Sequence, residues 1–379
     1  MVDAGFDRVH VTYRFPLTAG EDPKARAREM AREQTVEVPE GCFPPEFEGA
    51  VVAEVAGVER VGEGVVEVRL TYSREVAGGG VPQLLNLLLG NVSMFERVRV
   101  VDIGWPDWVG EIAAGPAFGV DGVRRLTGVF GRPLLATAVK PLGHTVEELA
   151  RRCREFVLGG LDIVKDDHSL ADQEWAPFAE RVARCQEAVA KAGGEAGSEA
   201  LYVPHLSGPF EELPWRVERL RALGCRAVMV HPAILGWDVV RWLAAESGLA
   251  VFTHPTFSGP LWAVPDTGIA PEILLGDLLR LLGSDVVVYP NAAGRFPITL
   301  QEVNAIAARL RRPWEGIRPA LPMLGGGIDL ERVGEWASRF GPDTVLLVGS
   351  SLYAQGDLRA ASSRLRQAIE TRSIGRHSS

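Results

Sequence analysis

Cysteine is scarce. The 379-residue chain holds four, Cys42, Cys153, Cys185 and Cys225, and their wide, irregular spacing fits neither a zinc cluster nor a disulfide framework. Cys153 and Cys185 fall in helical patterns and are expected as small core residues. Long apolar runs are missing as well. Nothing approaches the roughly 20 residues of a membrane span, and LLNLLLG reads as a short buried helix. The opening MVDAGFDRVH has no apolar signal core. Excess positive charge is also absent. A formal net charge of -9 and a pI near 5.4 argue against a general nucleic-acid footprint. These absences lead us to expect a cytoplasmic protein with neither membrane nor nucleic acid as partner.

What is present is ample apolar material, 46% of residues, at a mean hydropathy of +0.06. That suffices for a sizeable core in two domains or one large one. From about residue 134 a pattern repeats. A short apolar run ends in polar residues or glycine, and an amphipathic stretch follows. The runs are LLATAVK, DIVKDD, ALYVPHL, AVMVHP, AVFTHP, DVVVYPN, ALPMLGGG and TVLLVGSS. The first intervening helix opens with Thr145 and carries Glu148 three residues on, a capping box. Trp215, Trp237, Trp242 and Trp336 fall in helical patterns and are read as helix–barrel packing. Eight strands alternating with eight helices predict an α/β fold, a (β/α)8 TIM barrel over residues 116–379. An open doubly wound sheet would need a glycine-rich turn after its first strand, and KPLGHT is a poor dinucleotide fingerprint. Residues 1–115 read as an N-terminal α+β domain of ferredoxin-like type: a strand, a helix, a hairpin around Gly62 and Gly64, a second helix and a further strand. GPAFGVDGVRRLTGVFGRP is read as the connector.

Barrel chemistry sits at the C-terminal strand ends. Here those ends carry Lys140, then Lys165, Asp166, Asp167 and His168, then His205, His231 and His254, then Asn291 with Gly294 and Arg295, then Gly325–Gly327, and finally Gly349, Ser350 and Ser351. Four of the seven histidines would therefore line one rim. Strand alternation puts Ile163, Lys165 and Asp167 on one face, and Val164, Asp166 and His168 on the other. If Lys165 and Asp167 point into the mouth, the lysine is a salt-bridge partner, a Schiff-base amine or, carbamylated by CO2, an extra anionic ligand. The third would make a hard-cation site suited to Mg2+. Asp166 has the wrong parity for a ligand unless it lies at the strand tip. His205 and His231 either shape the pocket or bond backbone. The glycine turns after strands 7 and 8 offer N–H groups to a phosphate, or are simply tight turns.

These residues carry a resemblance. The chain resembles ribulose-bisphosphate carboxylase (RuBisCO) over nearly its whole length, specifically the RuBisCO-like proteins of form IV. GGLDIVKDD is similar to the family's metal-site segment and LLATAVKPLG to its first barrel strand. AREQT and LLLGNVSMF resemble N-terminal segments that complete a partner's site. PNAAGRF is close to the strand-6 loop, and LGGGID and LLVGSS resemble the phosphate loops. The resemblance implies that Lys165 is carbamylated and that Asp167 binds Mg2+. It implies that Lys140 assists proton transfer and His254 touches substrate. Gly326, Gly327, Gly349 and Ser350 would hold a phosphate, with Asn291 and Arg295 beside the substrate. Glu33 and Asn91 would reach a neighbouring subunit's site, hence at least a homodimer.

The departures shape the expected activity. The third family ligand is Glu, and this chain has His168. Imidazole suits Mn2+, Zn2+ or iron better than Mg2+, so either the metal preference shifts or His168 leaves the ligand set. Pro255 follows His254 where carboxylases carry an arginine for a second phosphate. The strand-6 loop lacks the mobile lysine that holds the carboxylation intermediate. Enolisation survives these losses and CO2 capture does not. The expectation is a metal-dependent isomerase, tautomerase or decarboxylase working through an enediolate on a singly phosphorylated keto-sugar or keto-acid. A genuine ribulose-bisphosphate carboxylase and a non-catalytic sugar-phosphate-binding protein are the alternatives.

Overall fold

The computed structural model describes residues 7–39 and 41–374. It divides into two compact units, Met1–Ala114 with Ser258–Leu278, and Gly115–Phe257 with Leu279–Ser379. Among the described residues the strands are β1 (Val9–Pro16), β2 (Glu54–Gly62), β3 (Val65–Tyr72), β4 (Arg99–Gly104), β5 (Leu134–Val139), β6 (Ile163–Asp166), β7 (Leu201–Val203), β8 (Ala227–Val230), β9 (Ala250–Thr253), β10 (Gly268–Ile269), β11 (Val286–Pro290), β12 (Leu321–Gly325) and β13 (Val345–Leu347).

The first unit is built on a five-stranded sheet in the order β10-β4-β1-β3-β2. β1 runs antiparallel to both β3 and β4, and β2 antiparallel to β3. With helices Pro23–Glu33 and Val81–Leu89 between strands, this is the βαββαβ arrangement of ferredoxin-like folds. Period-two alternation selects the buried face: Val9, Val11, Tyr13 and Phe15 of β1 face Val66, Val68, Leu70 and Tyr72 of β3. The Tyr13 and Tyr72 hydroxyls share a 2.8 Å hydrogen bond, and Tyr13 Oη donates to the Leu88 carbonyl. Neither buried hydroxyl is left unpaired. The sequence reading did not anticipate β10, which adds parallel to β4.

The second unit is an eight-stranded parallel sheet in the order β7-β6-β5-β13-β12-β11-β9-β8. It closes between β7 and β8. Met229 N donates to Pro204 O and Leu206 N to Met229 O, each at 2.8 Å. The strands are buried on both faces, as parallel sheets require. Inward-pointing Leu134, Ala136, Ile163, Leu201, Val203, Ala227, Met229, Ala250, Phe252, Val286, Val288, Leu321, Met323 and Val345 fill the barrel as one cluster. Helix Gly119–Thr127 contributes Val120 and Val123 to that cluster. The stretch read as a connector is thus a helix packed into the barrel. Trp336 is buried as expected, but Trp215 is 53% exposed and packs against nothing that hides it. Among the described residues no helix is long and apolar enough to cross a membrane.

Candidate active site

Two-residue steps from the barrel's inward set decide what enters its mouth. From Ile163 they reach Lys165 and Asp167, from Ala136 they reach Lys140, and from Val203, Met229 and Phe252 they reach His205, His231 and His254. Lys140 Nζ lies 2.5 Å from Asp167 Oδ2. Asp167 Oδ1 accepts from Ser169 N at 3.2 Å and lies 3.3 Å from His168 Nδ1. Lys165 is 2% exposed, and its Nζ donates to the Asp166 carbonyl at 2.7 Å. His168 has the opposite parity on paper, but β6 ends at Asp166 and alternation ends with it. Its ring turns into the mouth and stacks on His254, centroids 5.2 Å apart at 2°. His231 lies 5.3 Å from His254 and 4.1 Å from His205, also centroid to centroid.

The electrostatics follow from this crowding. Burial pulls the Lys165 amine down to about 8, against the attraction of Asp167 and Asp166. Burial pushes the Asp167 carboxyl up, but the Lys140 hydrogen bond and charge, backed by His168 and Lys165, hold it below the ordinary value. Desolvation lowers every imidazole of the group: His205 to about 4, His231 to about 3, His254 well below its usual value with Lys165 adding to the effect, and His168 despite Asp167. At neutral pH the mouth therefore presents neutral rings. His254 Nδ1 accepts from Thr256 N at 3.3 Å and pairs with Thr256 Oγ1 at 2.7 Å. That assigns the ring proton to Nε2, as a donor.

Asp166 is not a ligand candidate. Its side chain points away from the mouth, accepting from Tyr202 Oη at 2.6 Å, Arg181 Nε at 3.2 Å and His205 N at 3.0 Å. Parity holds for it, and the strand-tip exception considered for Asp166 applies instead to His168. Sequence reasoning missed its partner Arg181, although Arg181 lies on the buried stripe with Phe178, Val182 and Cys185. It missed Tyr353, whose hydroxyl donates to Ala138 O and accepts from Lys140 N, both at 2.8 Å. Tyr353 fixes the backbone on both sides of the β5 exit. Nothing in the sequence marks that role.

The remaining strand ends form close-packed loops. A Cβ on Gly327 (φ +64°) would lie 2.1 Å from Ala293 O, and one on Gly326 would lie 3.2 Å from Gly294 Cα. The turns after β11 and β12 therefore touch through backbone. Asn291 is fully buried; its N–H donates to Gly325 O, and its Oδ1 accepts from Ala292 N, both at 2.9 Å. Ser351 Oγ donates to Ile328 O at 3.1 Å, tying the β12 and β13 loops together. Gly349 and Ser350 open the short helix Ser350–Tyr353. The charge of Arg295 reaches His168, and its guanidinium lies over the Phe296 ring at 5.3 Å. In the first unit Asn91 Nδ2 donates to Glu33 Oε1 at 3.0 Å.

Residues 119–378 match the model of the ribulose bisphosphate carboxylase large chain, catalytic domain. The chain belongs to the RuBisCO large-chain family. It is 37% identical to the 5-methylthioribulose-1-phosphate isomerase of Rhodospirillum rubrum, with 93% of each chain covered. It is 31% identical to the 2,3-diketo-5-methylthiopentyl-1-phosphate enolase of Geobacillus kaustophilus over 82% of this chain and 76% of that one. The dimeric archaeal Rubisco of Hyperthermus butylicus superposes with a TM-score of 0.90 at 27% identity, covering 98% of this chain and 92% of that one. A RuBisCO-like fold with enolising relatives places the chain among enzymes rather than among binding proteins.

Among the described residues no three His, Cys, Asp or Glu side chains close on a single metal position. Asp167 and His168 are adjacent and offer one carboxylate and one neutral imidazole, so a further anionic donor to a metal would have to come from elsewhere. The buried Lys165 amine is the candidate. Its lowered pKa leaves a fraction neutral near pH 7, and only a neutral amine can add to CO2.

Proposed function

We propose that this chain is a metal-dependent, cytoplasmic enolising enzyme acting on a singly phosphorylated ketose or keto-acid, without net CO2 fixation. The carrying observation is the convergence of Lys140, Asp167, His168 and His254 around one mouth, with the buried Lys165 beside them. Carbamylation would form an N–C bond between Lys165 Nζ and CO2 and release one proton. With Asp167 and His168, the new carboxylate would hold Mg2+, or Mn2+ given the imidazole. Such an ion would acidify the carbon between an adjacent carbonyl and hydroxyl.

The chain's own groups do the rest. Lys140 Nζ, held over Asp167 and exposed to the mouth, moves the proton to and from that carbon. His254 donates its Nε2–H to the oxygen on which charge develops, as a neutral imidazole that needs no counter-charge. Gly326, Gly327, Gly349 and Ser350 cradle the phosphate, with Asn291 and Arg295 alongside. Ligands of the kind named for the relatives, 5-methylthioribulose 1-phosphate or 2,3-diketo-5-methylthiopentyl 1-phosphate, have the required single phosphate and carbonyl. Glu33 and Asn91, already paired, serve the mouth of a second copy in a homodimer.

The test is exchange of substrate C–H protons in D2O, followed by NMR with 5-methylthioribulose 1-phosphate and Mg2+ or Mn2+. Exchange that needs the metal and vanishes in Lys165→Ala is the expected result. Exchange unchanged in that variant would refute the assignment. Phosphoglycerate formed from ribulose bisphosphate and CO2 would favour a carboxylase instead.

A further inference from the structure

β5 outruns its neighbour before it reaches Lys140. On the β13 side the ladder pairs Leu134, Leu135 and Ala136 with Val345, Leu346 and Leu347, where β13 ends. One more backbone bond, Val348 N to Ala136 O at 2.9 Å, follows. The next groups of the same parity on that edge are Ala138 O and Lys140 N. Backbone groups need partners, and no strand is left to supply them. Tyr353 Oη meets both, donating to Ala138 O and accepting from Lys140 N, each at 2.8 Å. One phenol atom thus extends the β13 edge by two bonds. Packing does not fix the turn that follows. Pro141, Leu142 and Gly143 are exposed, and a cleft of about 540 Å³ opens beside Pro141 and Tyr353. The Tyr353 ring is itself placed. Phe156 meets it edge-on, centroids 5.6 Å apart, and the Arg152 guanidinium lies 5.5 Å from its centroid. Burial raises the phenol well above its ordinary value, so Oη stays protonated and donates and accepts at once. The Lys140 side chain is 40% exposed, and its ion pair with Asp167 holds only the tip of a flexible stem. Where that tip reaches depends on where the backbone of Lys140 is held.

We infer that Tyr353 is a positioning residue for proton transfer: its hydroxyl, by holding the backbone of Lys140 at the β5 exit, sets the reach of Lys140 Nζ over Asp167 and toward the reacting carbon. Tyr353 acts through Lys140 alone. Its loss displaces the amine and leaves the phosphate loops in place, so it slows proton transfer and spares substrate binding. This inference rests on the enolising function proposed above, with Lys140 as the group that moves the proton.

The test is a double-mutant cycle of Tyr353→Phe and Lys140→Ala. Exchange of 5-methylthioribulose 1-phosphate protons in D2O with Mg2+ gives the rate at saturation, calorimetry gives the affinity, and thermal melts confirm the fold. Phenylalanine keeps the ring against Phe156 and Arg152 and removes only the oxygen. Tyr353→Phe lowers the saturated rate by about 10- to 100-fold and changes Kd by less than about twofold. In the Lys140→Ala background the same substitution adds almost nothing, because the group it serves is gone. A merely structural role would weaken binding and slow both backgrounds alike. Equal losses in the two backgrounds overturn the inference, and so does a Tyr353→Phe enzyme that exchanges at the wild-type rate. Should Lys140→Ala exchange too slowly to follow, the split in Tyr353→Phe decides: rate lost with affinity kept supports the inference, and both lost overturns it. Crystal structures of the wild type and Tyr353→Phe read the placement without substrate. Lys140 Nζ leaves Asp167 in the variant, and an undisturbed pair overturns the inference whatever the rates. A wild type that does not exchange sinks the enolising reading alone, while the two crystal structures still decide whether Tyr353 places Lys140.

Discussion

Arg181 sits where the barrel wall meets helix Phe178–Ala196, fully buried, with Asp166 fully buried opposite. Replacing it with methionine keeps much of the apolar volume and removes the cation. Asp166 then retains only the Tyr202 hydroxyl and the His205 amide, and the carbonyls of Ala171 and Ala176 lose the donors they receive from Arg181 Nη1. Removing one partner of a buried pair costs about 3–5 kcal/mol, because the remaining charge stays desolvated. For a chain of this size that is a fall in melting temperature on the order of 10 °C. The pair itself need not be stabilising; a neutral couple of similar shape can do as well. Arg181→Met combined with Asp166→Asn should therefore recover a large part of the loss, and urea unfolding of the four proteins measures the coupling directly. Function would report on it too. The 167–177 loop and His205 both hang on this pair, so Arg181→Met should raise KM for the phosphorylated ketose. A loss in Arg181→Met below 1 kcal/mol, or a double variant whose losses simply add, would show that Asp166 is not a buried charge held by Arg181.

Asp285 accepts from Phe118 N and Gly119 N through Oδ1 and from Val251 N through Oδ2. Asp285→Asn turns an NH2 toward at least one of these donors, and chemical denaturation should show a loss of roughly 2–3 kcal/mol. Gly327→Ala should abolish substrate binding by calorimetry more completely than it lowers the melting temperature, since its Cβ would strike Ala293 O and force the loops after β11 and β12 apart; unchanged affinity would remove that loop from the site. Buried His205 and His231 titrate at about 4 and about 3, below the ordinary 6.5, so the unfolded chain takes up protons first as pH falls. Their contribution to stability is complete above about pH 6.5 and is lost as pH drops toward 4, by about 1.4 kcal/mol per pH unit for each group. The slope of stability against pH over that window should flatten in His205→Gln.

The barrel was legible because its signal is redundant. All eight apolar runs from LLATAVK to TVLLVGSS became strands, since parallel strands buried on both faces cannot avoid being apolar. The first unit's alternation was equally plain in VHVTYRFP. The ends of regularity were not. Helix Gly119–Thr127 hid among glycines, and β10 is two residues long. PEILLGDLLRLLG reads as one helix, but its first part, Glu272–Leu278, is wound as a π-helix. Period-3.6 reasoning does not foresee that.

At the mouth, parity held through Asp167, one residue past the end of β6, and failed at His168. Lys165 faces inward and Asp166 outward because β6 enforces alternation up to its last residue, and Asp167 continues that alternation one position further. His168 lies past that residue and turns to join His254. The end of the strand thus separates an outward structural carboxylate from an inward imidazole, although the two lie two positions apart with the same parity. Four neutral rings, His168, His205, His231 and His254, line the mouth. Such rings add donors and acceptors without adding charge. The charges of Lys165, Lys140 and Arg295 all bear on His168 and favour its neutral form, against the pull of Asp167.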